Sequence, residues 1–292
     1  MLVTYAIIAG LLLGIFYGMM SMGLNVVFGI QRIINLAHGS MVMLGGFGAW
    51  ELYYALHINP IAAVFIMIPV TVVIGFPLYY LLIPRLKRSQ DYETLSLVLF
   101  FGLAEVIQAL ATIIFGNNQR NLPITSIPSH PVHILGQDYQ ASWLVAAGVA
   151  LPIMALFLYY LYWTSLGRQT RAVMADEREA AIVGINTRRV SALAFGIGLA
   201  LAVASGGMAI FILGGVSPAD GASVTITAFA IIVLGSLGNP IGAVIGGILF
   251  GIANQLAQVY ATSWSAMVPY VLVLAVMLLR PQGILGKRSR VV

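Results

Sequence analysis

A single acidic residue interrupts a long uncharged apolar stretch. Glu105 stands between residues 94–104 and 106–119, which contain no Asp, Glu, Lys or Arg. Helical spacing places Gln108 on the same face as Glu105. An acidic group at bilayer depth is costly and is a functional candidate by default, so we predict that Glu105 and Gln108 line a polar substrate pathway or that Glu105 carries a proton. The alternative is a protonated, structural Glu105 that hydrogen-bonds to Gln108 or to a neighbouring helix.

A second polar group lies at the entry to an apolar run that ends near Tyr54. It consists of Asn35, His38, Gly39 and Ser40. Non-helical backbone at membrane depth is tolerated only beside protein or a water-filled cavity, and transporters often place such broken helices at the binding site. We therefore assign these four residues to the same candidate substrate pathway. The alternative is an ordinary turn in which Asn35 is the N-cap of the next helix.

The one polar, domain-like feature is the connection at residues 164–190. It holds eight of the chain's 23 charged residues, which are 14 Lys and Arg plus 9 Asp and Glu. Asp176 and Glu179 have the spacing of a capping box, and Ala180 continues a short helical run. Gly184 fits the C′ position that ends such a helix.

The charged connection therefore predicts one or two short helices at the membrane surface, after which Asn186 or Thr187 caps the next membrane helix. Such a helix could act as a lever that transmits motion from a soluble partner to the membrane helices. The alternative is a solvated connector, which would account for the basic residues but not for the acidic ones.

Several chemistries are excluded by the residues that the chain lacks. It has no Cys, so disulfides, thiol nucleophiles and Cys-based metal sites are ruled out. It contains no GxxxxGK[ST], HExxH or GxSxG motif, and His130 with His133 is too small a set for a metal site. We therefore predict a chain that is not an enzyme, binds no metal and takes any energy from an ion gradient or from another chain.

The elements that must position these residues are membrane helices. Hydrophobic residues make up 60% of the 292-residue chain and charged residues 8%, against about 25% in soluble domains. A spanning helix needs about 20 apolar residues. The sequence predicts an all-α, polytopic transmembrane bundle of about nine helices, with an uncertainty of one. The predicted segments are 4–28, 35–55, 61–83, 94–115, 143–163, 190–213, 224–237, 241–259 and 266–280.

Positive charge is distributed very unevenly between the two sides of this bundle. Threading nine helices puts 13 of the 14 Lys and Arg residues on one side and only Arg120 on the other. The positive-inside rule then places the C-terminus in the cytoplasm and the N-terminus outside. The net charge of +5 is explained by these loops, so no nucleic-acid partner is needed.

Three blocks of sequence resemble a known family. They are INLAHGSMVMLGGFGAW at 34–50, GRQTRAVMADEREAAIVGINTRRV at 167–190 and TAFAIIVLGSLGNPIGAVIGGILFGIANQL at 227–256. In this order and spacing they resemble the LivH-type permease subunits of ATP-binding-cassette (ABC) importers for branched-chain amino acids. The similarity covers nearly the whole length and implies a single permease domain, 1–292, with a type II-like importer architecture.

The resemblance also implies the rest of a transport machine in a bacterial inner membrane. Two cytoplasmic ATPase subunits would bind ATP-Mg, while this chain holds no cofactor. A second, similar permease chain would complete the pathway, and a periplasmic or extracellular binding protein would deliver the substrate. The coupling residues carried over from the family are Arg171, Asp176, Glu179, Ala180, Ala181, Gly184 and Arg188.

Other functions remain open at the level of sequence. An ion-coupled secondary transporter would use Glu105 as its proton carrier. An ABC permease for urea, amides or other amino acids would share the same family features. An intramembrane enzyme has no visible nucleophile–base pair in this sequence.

Overall fold

The computed structural model describes residues 2–123 and 130–286. Its helices are α1 (Leu2–Gln31), α2 (His38–Leu56), α3 (Pro60–Leu86), α4 (Tyr92–Phe115), α5 (Ala141–Trp163), α6 (Ser165–Ala175), α7 (Glu177–Ile182), α8 (Thr187–Ile212), α9 (Asp220–Gly235), α10 (Pro240–Tyr260) and α11 (Val268–Leu279). A 3-10 helix, Thr262–Met267, leads into α11. Within these ranges, seven helices are long and apolar enough to cross a membrane.

The helical prediction is confirmed in its main outline. The nine predicted segments correspond to α1–α5 and α8–α11, while α6 and α7 are the short helices expected in the charged connection. Seven of the described regions have the length and apolarity that a membrane span needs, and α9 is a shorter apolar helix. The seven are α1, α3, α4, α5, α8, α10 and the Thr262–Leu279 region. The chain is therefore a multi-pass membrane protein.

Helix α2 begins three residues after its approximate predicted start at residue 35, and Asn35 is not the N-cap of this helix. Helix α2 begins at His38, and the residue before it, Ala37, makes no side-chain cap. Asn35 instead accepts a hydrogen bond from the Ala37 backbone amide at 3.0 Å. This local turn competes with helical hydrogen bonding, as Asn side chains often do, and delays the helix by three residues.

The all-α description is also incomplete, because a small hairpin lies between α4 and α5. Strands β1 (Val132–Ile134) and β2 (Gln137–Tyr139) pair antiparallel, with Ile134 opposite Gln137. The two loop residues, Leu135 and Gly136, both have positive φ angles, 48° and 78°. Positive φ at both central residues is the requirement of a type I′ hairpin turn.

Small residues allow the membrane helices to pack backbone against backbone. A Cβ atom on Gly10 would lie 2.5 Å from Ile252 Cα, and one on Gly251 would lie 2.3 Å from Gly10 O. Equivalent close approaches join Gly14 to Ile248, so α1 and α10 run antiparallel along a glycine seam. In lipid, such close packing replaces the hydrophobic drive that joins helices in water.

The described connections between the helices fall on two faces of the bundle. The face that carries the α1–α2, α3–α4, α5–α8 and α9–α10 connections is called the basic face. The face that carries the hairpin is called the opposite face. On the opposite face, Arg120 pairs with Val216 through backbone hydrogen bonds of 2.8 and 2.9 Å, and its guanidinium lies 5.0 Å from the Trp50 ring centroid. On the basic face, the Ile284 amide donates a hydrogen bond to the Leu234 carbonyl, and the Leu285 amide donates one to the Gly235 carbonyl.

Candidate coupling surface and pathway residues

The charged connection folds into two short helices with well-formed ends. Thr164 caps α6 by accepting a hydrogen bond from the Gly167 amide at 3.0 Å. Asp176 caps α7, because its Oδ1 accepts from the Arg178 amide at 2.7 Å and from the Glu179 amide at 3.0 Å. These hydrogen bonds, the one from Glu179 first, lower the pKa of the Asp176 carboxyl below its usual value. Asp176 is therefore an ionised cap at neutral pH.

Gly184 ends α7 at the position that the sequence predicts. Its φ is +85°, its amide donates to Ala181 O at 3.0 Å, and the Ile185 amide donates to Ala180 O at 3.1 Å. These two bonds are the pair that defines a Schellman motif with Gly184 at C′. Asn186 then caps α8 by accepting from the Arg189 amide at 3.1 Å. Both ends of α7 are thus fixed by local chemistry.

Two basic residues attach the α6–α7 segment to the bundle. In the sequence, they only added to the uneven distribution of positive charge. Lys87 Nζ, just after α3, lies 2.6 Å from Glu177 Oε2 at the start of α7. Arg32 Nη2, just after α1, donates to the Met174 carbonyl of α6 at 3.0 Å. Sequence offered no signal for either contact, because each joins residues about 90 positions or more apart.

One side of α7 packs inward and the other projects away from the bundle. Ala180 is buried at 3% exposure, whereas Ile182 and Val183 are 85% and 75% exposed. Glu179 and Ala181 are exposed as well. The exposed side of α7 therefore carries one acid, Glu179, and three small or aliphatic side chains. We call the segment formed by α6 and α7 the rod, and its exposed residues Ile182 and Val183 the tip of the rod.

The remaining predicted coupling residues lie on either side of α7 along the chain. The Arg171 guanidinium carbon lies 4.9 Å from the Tyr162 ring centroid, so α6 is held over the end of α5. Arg188 is exposed at the start of α8. The seven carried-over coupling residues thus lie along one continuous α6–α7–α8 segment of the basic face. Their coupling role stays a prediction.

The predicted pathway residues near α2 are buried between helices. His38 Nε2 lies 2.9 Å from the Met20 carbonyl of α1. The Gly39 amide donates to Thr225 Oγ1 of α9 at 2.9 Å, and a Cβ on Gly39 would lie within 1.9 Å of Gly221 O. Ser40 is 4% exposed. These contacts are typical of helix packing, and a direct role in a substrate pathway stays a prediction.

Thr225 is the residue at this junction that the sequence did not single out. Its hydroxyl also lies 3.2 Å from the Leu36 carbonyl and 2.9 Å from the Gly221 carbonyl. It therefore joins the non-helical segment before α2 to the second turn of α9. A threonine in an apolar helix carries no sequence signal that distinguishes this contact from ordinary back-bonding to the preceding turn.

Asn25 is a second buried polar residue that the sequence did not single out. It lies in α1 with no solvent exposure. Its amide nitrogen donates to the Ser236 carbonyl at 3.1 Å and to the Asn239 carbonyl at 2.8 Å, and its Oδ1 accepts from the Gly238 amide. Asn25 thus fixes the turn between α9 and α10, next to the coupling segment on the basic face.

Glu105 does not face the interior of the chain. Its side chain is exposed on α4, and Gln108 is half-buried one turn further along. Among the hydrogen bonds and ion pairs of residues 2–123 and 130–286, none joins Glu105 to Gln108. The alternative role of Glu105, a structural hydrogen bond to Gln108 or to a neighbouring helix, therefore stays a prediction, and the described chain does not show its Gln108 form. Sequence could not locate this face, since helix orientation is set by tertiary packing.

The side chains that could ligate a metal ion lie singly or in pairs in the part of the chain that the structure covers. Residues 2–123 and 130–286 contain no cluster of three or more His, Cys, Asp or Glu side chains that could hold a metal ion. His133 Nδ1 instead lies 2.9 Å from Asp138 Oδ1 across the hairpin, where both side chains are exposed.

Comparison with known proteins agrees with the geometry. The family model described as "Branched-chain amino acid transport system / permease component" matches residues 6–277. The chain is 30% identical to the high-affinity branched-chain amino acid transport system permease protein LivH of Escherichia coli K12, over 95% of this chain and 94% of that protein. It is 27% identical to BraD of Pseudomonas aeruginosa over 96% of this chain and 95% of that protein. No solved structure matches the chain.

A second type of permease is also similar. LivM of Escherichia coli K12 is 26% identical over 92% of this chain and 67% of that protein. The resemblance seen in the three sequence blocks is therefore confirmed by matches that extend over nearly the whole chain.

Proposed function

Because the chain belongs to the family of branched-chain amino acid transport permease components, we propose that it is a membrane-spanning subunit of an ABC importer for Leu, Ile and Val. The observation that carries this proposal is the whole-length match to the family, since it covers the membrane helices and the coupling segment together. The substrate is taken from the names of the relatives, LivH and BraD.

The α6–α7 rod is the proposed contact with a cytoplasmic ATPase subunit. Its support is its shape: a capped helix whose tip, Ile182 and Val183, is exposed, and whose base is held by Lys87 and Arg32. Such a rod can pass a displacement to α1 and α3, because it is attached to the ends of both. ATP-driven closure of an ATPase pair would then rock these helices between inward-open and outward-open arrangements.

The importer is proposed to lie in the inner membrane of a bacterial cell. In the proposed orientation, the basic face is on the cytoplasmic side of this membrane. Its support is the 13-to-1 distribution of basic residues, which follows the positive-inside rule. The C-terminus is then cytoplasmic and the N-terminus external. The binding protein meets the opposite face, and two ATPase subunits with bound ATP-Mg meet the basic face.

The chain is proposed to act as a single permease domain with no catalytic activity of its own. Its partners are the two ATPases, a second similar permease chain, the binding protein and the lipid bilayer. The pathway lies between the two permease chains, where aliphatic and small residues suit a hydrophobic amino acid that the binding protein has already selected.

The family match favours the ABC importer over the ion-coupled alternative, because the matching family model describes a transport-system permease component. Within this chain, Glu105 is exposed on α4 and faces no pathway enclosed by the chain itself. The remaining alternative is a different substrate in the same machine, such as an amide, urea or another amino acid.

The test is uptake by the complete transporter, with its binding protein and ATPases, reconstituted in vesicles. We expect ATP-dependent uptake of labelled leucine that excess isoleucine and valine abolish and that excess urea leaves unchanged. The double variant Arg171→Glu and Glu179→Lys should lose uptake while the chain stays in the membrane. Asp138→Lys, a charge reversal on the opposite face, is the matched control and should transport normally. Uptake driven by a proton gradient without ATP would contradict the proposal.

A further inference from the structure

Two helices of this chain have little contact with the rest of the bundle, and their outer faces differ in chemistry. In α4, only Ser96, Phe100 and Ala111 are buried. In α11, no residue is buried. Both helices must therefore meet something other than this chain along most of their length.

The outer face of α11 is suited to lipid. Its exposed side chains, which include Tyr270, Leu274 and Met277, are apolar or aromatic. The sequence from 221 to 279 contains no Asp, Glu, Lys or Arg. Acyl chains can cover the aliphatic part of this surface, and the one exposed hydroxyl named here, that of Tyr270, lies in the first turn of α11, near a helix end.

The outer face of α4 is not suited to lipid. Glu105 is exposed there, 13 residues after the start of α4 at Tyr92 and 10 before its end at Phe115. At 1.5 Å per residue it lies about 15–20 Å from either end of the helix, which is close to the middle of the bilayer. Lipid tails offer no hydrogen-bond donor at this depth, and the described residues of this chain supply none.

Small residues flank Glu105 on the same face. Gly102 lies three positions before it and Ala109 four positions after it, and both are exposed. A Cβ added to Gly102 would find no atom within 4 Å, so the surface there is open. Small residues at one helical turn on either side of a polar group allow another helix to approach closely and to reach that group.

From this combination we infer that the α4 face formed by Gly102, Glu105 and Ala109 packs against a second, non-identical permease chain that donates a hydrogen bond to Glu105. A symmetric pair of identical chains that crossed at the middle of α4 would bring two Glu105 side chains together, and two carboxylates repel each other and offer no hydrogen-bond donor. The inference rests on the proposed function, which requires two permease chains, and adds the surface through which they meet.

Lipid access distinguishes this surface from α11. The native chain has no cysteine, so a single nitroxide can be attached at Ala109→Cys or, as the matched control, at Leu274→Cys of α11 in the complete transporter in lipid nanodiscs. We expect dissolved oxygen to increase the spin relaxation rate of the label at position 274, as it does at a lipid-facing site. The relaxation rate of the label at position 109 should increase far less, because the second permease chain covers it. Equal, lipid-like relaxation at both positions would overturn the inference.

A second measurement uses variants without a bulky label. After mild detergent extraction of the complete transporter, Glu105→Gln should keep the second permease chain, since an amide still hydrogen-bonds, whereas Glu105→Leu should lose it. Retention by both variants, or pairing of the chain with a copy of itself, would overturn the inference. ATP-driven leucine uptake by the unaltered transporter reports separately on the proposed function, so the two failures are distinguishable.

Discussion

The two longest connections between membrane helices face opposite sides and are built in opposite ways. Residues 164–186 on the basic face form two capped helices that are attached to the bundle at Lys87 and Arg32. The described residues of the other connection, 116–123 and 130–140, lie on the opposite face and include a short hairpin whose His133 and Asp138 are exposed and contact each other. A connection that must pass on force needs a stiff element that is attached to the membrane helices. The basic-face connection has capped helices with such attachments, whereas the described part of the opposite-face connection is attached through Arg120 and Tyr139 but contains no helix.

The difference lies in how each connection is stabilised. The basic-face connection combines local caps, at Asp176 and Gly184, with long-range contacts to the ends of α1 and α3. The hairpin has a matched local turn at Leu135 and Gly136, and its Tyr139 stacks on Tyr5 with ring centroids 5.2 Å apart. Changes of the same chemistry in the two connections should therefore affect transport very differently.

The largest effect is expected from Ala180→Asp. This side chain is 3% exposed, so an unpaired carboxylate there costs roughly 3–5 kcal/mol and should detach α7 from the bundle. Leucine uptake should fall to background, and trypsin should cut at Arg178 in the basic-face connection. Ala181→Asp, one residue further on the exposed side, is the control for the fold and should stay resistant to trypsin. Normal uptake by Ala180→Asp would show that α7 passes on no force.

A smaller effect is expected when the attachment to α3 is reversed. Lys87→Glu places two acids side by side, and because the pair is partly exposed the loss is about 1 kcal/mol, or roughly fivefold in coupling. ATP hydrolysis should continue while uptake falls. The double variant Lys87→Glu with Glu177→Lys restores opposite charges and should recover most of the uptake. Failure of this recovery would argue against the ion pair as a mechanical link.

A matched glycine pair sharpens the comparison further. Gly184 and Gly136 have nearly the same φ, +85° and +78°, so valine at either position costs about 1–2 kcal/mol of backbone strain. We expect Gly184→Val to lower uptake severalfold, and Gly136→Val to lower thermal stability with uptake preserved. Thermal unfolding and vesicle uptake of both variants provide the measurement. Equal loss of uptake in the two variants would remove the functional distinction between the connections.

The smallest effect is expected from Asp176→Asn, since asparagine also caps helices well. The lowered pKa of Asp176 means that its contribution to α7 is fully present above the ordinary Asp pKa, about 3.9, and is lost as the pH falls through the lower folded value. A nitroxide at Ile182→Cys should therefore gain mobility only in strong acid. The Asn variant should lack this acid step, and an identical step in both would exclude Asp176 as its source.

Local and lipid-imposed features could be predicted from sequence. Lipid excludes unpaired charge, so the uncharged runs mark the membrane helices, and Asp176, Gly184 and Asn186 act through neighbours within a few residues. Contacts set by tertiary packing could not be predicted. Glu105 has an unmistakable sequence signature, but the side of α4 that faces outward depends on how the other helices pack.

The same limit explains the errors around α2 and the unpredicted contacts. Asn35 makes a turn with Ala37 while His38 is held by Met20, eighteen positions away in α1. The hairpin was not predicted because three-residue strands carry too few side chains to show a period of two. The roles of Lys87 and Arg32 emerge only from their distant partners.

The most direct test of the coupling role is a cross-link from the exposed tip of α7. In the complete transporter, Ile182→Cys should form a disulfide with a cysteine scanned across the membrane-facing surface of the ATPase, and the yield should change when ATP is added. Asp138→Cys on the opposite face should form none. A cross-link from position 182 to the binding protein, or from position 138 to the ATPase, would contradict the account.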